Sequence, residues 1–198
     1  HAEISLECSG KVEGSDKLYG LNELNDEKLL ELYENKKVLS QDDIEYADYI
    51  WQLYCSDNPI RLENQIANND FQFEYLSDAL KTHLKRFPTI KNGLNDLENH
   101  ILEVAKQEKP GSRKELMREL LTNQGFYGFG DTQYDRIISS LKPLFSSFDP
   151  VKLTKRGLDV LKLEANYYSE LRDNQMYLGG SLKYNFLYNT ETDRILKL

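Results

Sequence analysis

Helix-start signals recur along this sequence and constrain its fold more than any other feature. Each is a Ser or Asn with an acidic residue three positions later, placed before a run of periodic apolar residues. The first side chain can accept a hydrogen bond from the backbone N–H of the fourth residue, and the acid can bond back. These signals predict a series of short capped helices, with a full capping box at the third pair. The pairs are Ser40–Asp43, Asn95–Glu98 and Ser112–Glu115.

The first half of the chain reads as a layer of amphipathic helices with acidic outer faces. One helix begins at Asn25 or Asp26, one follows Ser40, and one runs over residues 75–87 before Pro88. Apolar residues at spacings of three and four define the face that each helix buries. The predicted inward residues are Ile44, Ala47, Trp51 and Tyr54 in the second helix, and Leu76, Leu80, Leu84 and Phe87 in the third.

Residues 95–163 show a different order: three helices joined by short turns, then extended segments and a further helix. A glycine-rich turn over residues 125–130 precedes the third helix, for which Asp131 is the predicted cap. This order is typical of a winged helix-turn-helix. The segment Leu153-Thr154-x-x-Gly157-x-x-Val160-Leu161 resembles the one that follows the wing in several bacterial winged-helix regulators. There the Thr caps the helix and the Gly permits close packing.

The end of the chain predicts a β-hairpin. Residues 183–187 and 194–198 alternate in a strand-like way around the turn residues 189–192. We therefore predict an α+β fold that is mostly α, with a helical segment, a winged-helix-like module and a C-terminal hairpin.

Residues 3–8 read as a short strand, yet no convincing partner strand is visible in the hundred residues that follow. An unpaired strand leaves its edge groups unsatisfied, so its sheet is expected to lie upstream. The predicted division is residues 1–20 as the remnant strand and loop of an upstream α/β segment, 21–94 as the helical segment, and 95–198 as the winged-helix-like module with its hairpin. The start at His1, without a Met, indicates a tag remnant or a cut inside a longer protein.

The charge is unevenly distributed. The 198 residues carry a formal charge of −8, and residues 1–94 hold 10 basic against 18 acidic side chains. Residues 95–163 hold 11 basic and 10 acidic side chains, so this stretch has no acidic excess. An acidic protein does not favour non-specific phosphate binding, but the second half leaves DNA contact open. Two cysteines and the lack of a long apolar run predict a cytoplasmic protein without membrane contact.

One candidate set of cations lies in the winged-helix-like stretch. In a winged helix the third helix enters the major groove, and here it carries Asp131 and Asp135 beside its cations. Useful affinity at physiological salt needs several phosphate contacts, so this set is small. The alternative, a structural or protein-contacting module, is favoured. The candidate nucleic-acid residues are Arg136, Lys142, Lys152, Lys155 and Arg156.

A second basic cluster surrounds His83 near the end of the third predicted helix. It could bind an anion, with Asn92-Gly93 adding backbone donors, or line a pocket with Trp51. The favoured alternative is a solvated helix face whose Lys stems cover apolar surface, with His83 as a hydrogen-bonded core residue. The candidate anion or pocket residues are Trp51, Lys81, His83, Lys85, Arg86 and Lys91.

No motif indicates a metal, a cofactor or a nucleophile. His100 lacks a second His or Cys at helical spacing, and neither Cys8 nor Cys55 has a His nearby in the sequence. The turn Gly128-Phe129-Gly130-Asp131 lacks the preceding strand and the spacing of a phosphate-binding loop. We predict no cofactor, no metal site and no assignable catalytic residue.

Several short stretches occur in an order that resembles an uncharacterised bacterial family, domain of unknown function eighteen-thirty-five. The resemblance implies a longer protein with an α/β segment ahead of this chain, of which residues 3–8 would be a late strand. Family members often carry a His and two Trp residues near the end, whereas this chain has Ser181-Leu182 and then Tyr184-Asn185-Phe186-Leu187. The family brings no known reaction. The stretches are Gly20-Leu21-Asn22-Glu23-Leu24, Trp51, Ser56-Asp57-Asn58-Pro59, Phe87-Pro88-Thr89-Ile90-Lys91-Asn92-Gly93-Leu94, Gly128-Phe129-Gly130-Asp131, Leu153-Thr154 with Gly157, Val160 and Leu161, and Gly179-Gly180.

Two functions agree with these observations. The first is a non-enzymatic regulatory or interaction module, with a protein partner or nucleic acid contacted through its second half. The alternative is the C-terminal part of an enzyme whose active site lies mainly in an absent upstream segment. In that case the cluster around His83 would face the absent segment, and His83, Arg86 and Trp51 would line one concave pocket.

Overall fold

A computed structural model describes residues 3–9, 20–67, 73–125, 127–172 and 175–198. The loop predicted within residues 10–19, and Phe126 of the glycine-rich turn, lie outside the described residues. The helices of the described part are α1 (Asp26–Glu34), α2 (Gln41–Tyr54), α3 (Ile60–Glu63), α4 (Leu76–Leu84), α5 (Asp96–Gln107), α6 (Arg113–Thr122), α7 (Asp131–Ser140), α8 (Lys155–Leu161) and α9 (Tyr168–Leu171). None of them is long and apolar enough to cross a membrane.

The described strands form four antiparallel pairs of two strands each. They are β1 (Ser5–Leu6) with β2 (Lys37–Val38), β3 (Phe145–Phe148) with β4 (Val151–Leu153), β5 (Tyr177–Leu178) with β6 (Ser181–Leu182), and β7 (Phe186–Asn189) with β8 (Arg194–Lys197). The fold is therefore α+β, as predicted, and the C-terminal hairpin is confirmed.

The N-terminal strand has a partner that the sequence did not reveal. Ser5 pairs with Val38 and Leu6 with Lys37, in a two-residue antiparallel ladder. The expectation of no partner in the following hundred residues was wrong, because a two-residue partner after a helix carries no readable alternation. One edge of this strand is therefore paired within the described residues.

The capping signals form as predicted at two of the three pairs. Ser40–Asp43 and Asn95–Glu98 make full capping boxes. Ser112 accepts a hydrogen bond from the N–H of Glu115, but the Glu115 carboxylate reaches back to the N–H of Gly111 instead, at 2.6 Å. At the third helix of this half, Gly130 is the N-cap and Asp131 is the first helical residue, so that predicted cap was wrong by one position.

The buried face of α2 differs from the predicted one. Tyr46, Ile50 and Leu53 are buried against α3 and α4, whereas Trp51 is 62% exposed. The helix carries two overlapping apolar stripes, and periodicity alone does not say which one meets the neighbouring helices. The predicted core residues Leu80, Leu84 and Phe87 at the end of α4 are confirmed as buried.

The second half has its own core, built by α5, α6, α7 and α8 around the hairpin β3–β4. The side chains buried there include Leu97, Ile101, Leu116, Leu120 and Ile138, from α5, α6 and α7. The chain between α5 and α6 joins the hairpin, because the N–H of Val151 donates to the carbonyl of Pro110 at 2.9 Å. A side chain at Gly157 would lie 2.4 Å from the carbonyl oxygen of Leu144, so the predicted close approach of this glycine is confirmed.

The C-terminal hairpin packs on the first half of the chain rather than on the second. Phe186, Tyr188 and Ile195 share a core with Leu84 and Phe87 at the end of α4. The N–H of Ile195 also donates to the buried carboxylate of Glu63 in α3, at 2.8 Å. The chain therefore returns to its first helical layer, and the predicted grouping of this hairpin with residues 95–163 does not describe its contacts.

Candidate functional site

A cavity of about 210 Å³ lies where the end of α4, the start of α5, helix α7 and the segment 176–184 meet. Arg86 and Arg136 both line it. The sequence assigned these two residues to separate clusters, one to an anion or pocket group and the other to a nucleic-acid group. We call this site the Arg86–Arg136 cavity.

Arg86 is positioned by the connection between α4 and α5. Its backbone carbonyl accepts a hydrogen bond from the side-chain amide of Asn95, the residue that caps α5. Its guanidinium lies over the ring of Phe129, 5.6 Å from the ring centroid. This stacking holds a half-buried guanidinium in place without a carboxylate partner among the described residues.

Arg136 is exposed and lies on α7, where Gln133 and Ile137 line the same cavity. The oxygen of the Gln133 side chain accepts a hydrogen bond from the N–H of Gly130, which caps the helix. That bond leaves the NH₂ group of Gln133 as a donor. Helix α7 therefore contributes a guanidinium and an amide to the cavity.

A buried ion pair forms part of the cavity wall. The Nζ atom of Lys183 lies 2.8 Å from Oε1 of Glu98, and the two side chains are only 2% and 5% exposed. The other carboxylate oxygen of Glu98 accepts the N–H of Asn95 at 2.8 Å. Because Glu98 is neutralised by Lys183, the described lining residues retain a net charge of +2 from the two arginines.

Apolar side chains form the remainder of the wall. Leu97, Ile137 and Leu178 lie beside Phe129 and the half-exposed Met176. Tyr184 completes this side, and burial together with the nearby Glu98 raises the pKa of its phenol, which stays protonated at neutral pH. The cavity thus combines positive charge with a largely apolar surface.

The hairpin β5–β6 fixes the segment that carries Leu178 and Lys183. The N–H of Gly180 donates to the carbonyl of Tyr54 at 2.9 Å, and a side chain at Gly180 would lie 1.9 Å from the carbonyl oxygen of Cys55. Only glycine allows this approach to the end of α2. This close approach holds one wall of the cavity against the first helical layer.

Comparison of the chain with protein-family models, with curated proteins and with solved structures finds no match.

Trp51 and His83 do not line the Arg86–Arg136 cavity. His83 lies between two aromatic rings: its ring centroid is 5.1 Å from that of Tyr54 and 6.1 Å from that of Phe87. Trp51 stacks on Tyr54, with ring centroids 5.5 Å apart, and the four rings form an aromatic array. Burial, together with the nearby Arg86, lowers the pKa of His83 from 6.5 to about 4. His83 is thus a neutral member of an aromatic array at physiological pH.

The three lysines of the predicted anion cluster lie apart from one another. Lys81 pairs with Asp78 at 3.7 Å and Lys91 with Glu191 at 3.6 Å, both on the exposed surface. Lys85 lines a second, polar cavity of about 280 Å³ together with Asp96 and His100. The backbone N–H of Gly93, proposed as an anion donor, is bonded to the carbonyl of Thr89. The predicted cluster therefore contributes only Arg86 to the site.

The predicted nucleic-acid residues also separate. Arg156 pairs with Glu170 at 2.6 Å, and Arg136 lines the cavity. Lys142, Lys152 and Lys155 are exposed, and none pairs with a carboxylate in the described part of the chain. On α7 itself, Asp135 is bound by Arg113 at 2.6 Å, so its charge is compensated within the fold.

Asn92 was missed as a structural residue. Its side chain donates to the carbonyl of Val160 in α8 and to Asn99 in α5, and accepts from the hydroxyl of Thr89. Buried amides of this kind need all their partners, so Asn92 joins the two halves of the molecule. Lys183 was missed too, because its partner Glu98 lies 85 residues away and only the fold brings them together.

Proposed function

We propose that this chain is a non-enzymatic regulatory module that binds a small anion in the Arg86–Arg136 cavity. The observation that carries the proposal is the meeting of two arginines from distant segments in one partly apolar cavity, with the only lining carboxylate of the described residues already paired. Ligand-binding sites are usually concave and mostly apolar, with a few polar groups that point into them.

Charge compensation favours an anion in this cavity. Two guanidiniums that face a shared cavity repel each other, and an anion between them converts that repulsion into two charge-assisted hydrogen bonds. Arginine suits this role because its planar fork matches oxygen anions and it is weakly hydrated. The apolar wall lowers the local dielectric and strengthens both contacts.

We further propose that residues 95–161 form a winged-helix-like module. Three helices, a hairpin and a fourth helix follow in that order, and the Pro110 carbonyl joins the hairpin through Val151 as an additional edge. Nucleic-acid contact is not favoured by the cations of this module. Of the five candidate nucleic-acid residues, Lys142, Lys152 and Lys155 are left for phosphates, and so few contacts give weak binding at physiological salt.

Isothermal titration calorimetry of the chain with benzoate and inorganic phosphate tests the proposal. We expect saturable binding of at least one anion, weakened about tenfold or more in Arg86→Gln and in Arg136→Gln, because each loses a charge-assisted hydrogen bond. Arg61→Gln is the matched control, since Arg61 is an exposed arginine of α3 outside the cavity. Equal affinities in all three variants, or no binding of either anion, would overturn the proposal.

A further inference from the structure

We infer that the ligand of the Arg86–Arg136 cavity is a carboxylate carried on a compact apolar body, rather than a phosphate or a nucleotide. This inference rests on the proposed function and specifies its ligand. Four features of the cavity support it: the bonded backbone amides, the side-chain donors, the apolar surface and the volume.

Three backbone amides at the helix starts beside the cavity are already bonded. Phosphate sites at helix N-termini use N–H groups that lack a partner within the helix. Here the N–H groups of Asn95 and Glu98 at the start of α5 are bonded within their own capping box. The N–H of Gly130 at the start of α7 is bonded to Gln133. These three amides are therefore not free to bind a phosphate, and the charged donors at the cavity are the two guanidiniums.

Two guanidiniums and the Gln133 amide match a carboxylate better than a phosphate. A carboxylate presents two oxygens in one plane, which one or two arginine forks can satisfy. A phosphate monoester presents three charged oxygens, and its third oxygen would meet apolar side chains or the Glu98 carboxylate. Leaving a charged oxygen without donors in such surroundings is costly.

The apolar wall calls for an apolar ligand body. Leu97, Ile137, Leu178, Phe129 and Met176 form the apolar part of the cavity wall. An inorganic anion would leave this surface uncovered, whereas an aliphatic or aromatic group on the carboxylate would bury it.

The volume limits the size of the ligand. A cavity of about 210 Å³ is smaller than the sites of drug-sized ligands, which span roughly 300 to 1,000 Å³. A branched aliphatic or a single-ring aromatic acid suits this space, and a nucleotide exceeds it. The free acid and the C-terminal residue of a peptide share this chemistry.

Calorimetry of the whole chain with a matched panel tests the inference. The probes are phenylacetate and 4-methylpentanoate, the amide of each acid, acetate, inorganic phosphate, adenosine monophosphate, and a tetrapeptide that ends in Leu with a free carboxylate. We expect the two acids to bind at least tenfold more tightly than their amides, and more tightly than acetate, phosphate or the nucleotide. Tighter binding of the peptide than of the free acids would support the same chemistry and assign it to a peptide terminus.

Variants separate the two parts of the ligand. Arg136→Gln removes a charged contact, so the affinity for each acid is expected to fall toward the affinity for its amide. Ile137→Ala removes part of the apolar wall, so the affinity for phenylacetate is expected to fall toward the affinity for acetate. The affinity for acetate itself is expected to change little. Arg61→Gln is expected to change none of these affinities. Melting curves of each variant establish that it is folded before binding is compared.

The outcomes distinguish this inference from the proposed function. If phosphate or the nucleotide binds most tightly and loses affinity in Arg86→Gln and Arg136→Gln, the anion site stands and the carboxylate inference fails. If the amides bind as well as the acids, the inference fails as well. If no anion binds, both fail together.

Discussion

At the scale of single residues, charge and burial decide which side chains take part in the site. Lys183 is 2% exposed and bonded to Glu98, so it neutralises a carboxylate that would otherwise oppose an anion in the cavity. Removing one partner of such a pair leaves an uncompensated buried charge, so the pair is needed for the fold as well as for the potential of the cavity. Arg86 and Arg136 keep their charge available because no described carboxylate pairs with them.

His83 gives the stability of the protein a pH dependence. The pKa of His83 falls from 6.5 to about 4 on folding, so between these values the unfolded chain binds a proton that the folded chain does not. The free energy of unfolding is therefore expected to decrease as the pH falls from 6.5 toward 4. The contribution of this one group is at most about 3 kcal/mol, at 1.36 kcal/mol for each unit of pKa.

Urea unfolding at several pH values between 7 and 4 measures this effect. In His83→Gln we expect the free energy of unfolding to fall less steeply with decreasing pH, because the proton of His83 no longer contributes. His100→Gln is the control, since it removes a histidine that lines the neighbouring polar cavity. An unchanged slope in His83→Gln would contradict the placement of His83 as a buried neutral residue.

At the scale of elements, the capping residues show what a sequence can predict. Helix starts at Asn25, Ser40, Asn95, Ser112 and Thr154 follow from local chemistry, because a cap needs only its own turn. The buried face of α2 could not be predicted in the same way. That face depends on where α3 and α4 lie, because α2 carries two overlapping apolar stripes and only one of them contacts these helices.

Asn95 is expected to contribute more stability than Ser112. Both accept a bond from the backbone three residues on, but Asn95 is 5% exposed and also donates to the carbonyl of Arg86. Loss of a cap costs about 0.5 to 2 kcal/mol, and a buried carbonyl left without its donor adds to that cost. We expect Asn95→Ala to fall at or above the top of this range and Ser112→Ala near its lower end.

Thermal and urea unfolding of the two variants compare these costs directly. Since Asn95 also positions Arg86, Asn95→Ala is expected to weaken anion binding, whereas Ser112→Ala is expected to leave it unchanged. Equal destabilisation by both substitutions would show that the bond to the Arg86 carbonyl contributes nothing.

At the scale of the whole molecule, the chain returns to its first helical layer at its end. The hairpin β7–β8 shares a core with α4, and the hairpin β5–β6 contacts the end of α2 while it supplies a wall of the Arg86–Arg136 cavity. The sequence predicted the C-terminal hairpin β7–β8 from local turn residues, and it did not predict the hairpin β5–β6. It could not predict their packing, because no local signal joins Phe186 to Phe87 or Lys183 to Glu98 over such separations.

The fold brings together basic residues from the acidic first half and the near-neutral second half of the chain. The near-neutral second half suggested cations for a nucleic acid, yet Arg136 meets Arg86 from the acidic half in one cavity. Neither residue could be assigned to this site from the sequence, because they are separated by α5 and α6. The site is a property of the assembled molecule and not of either half.

Nuclear magnetic resonance of the arginine side chains tests this account most directly. The Nε–Hε signals of Arg86 and Arg136, assigned with the two Gln variants, are followed as phenylacetate is added. We predict that both signals shift together and saturate at one common concentration, while the signal of Arg61 stays in place. Independent saturation of the two signals, or equal linear shifts of all three, would contradict a shared anion site.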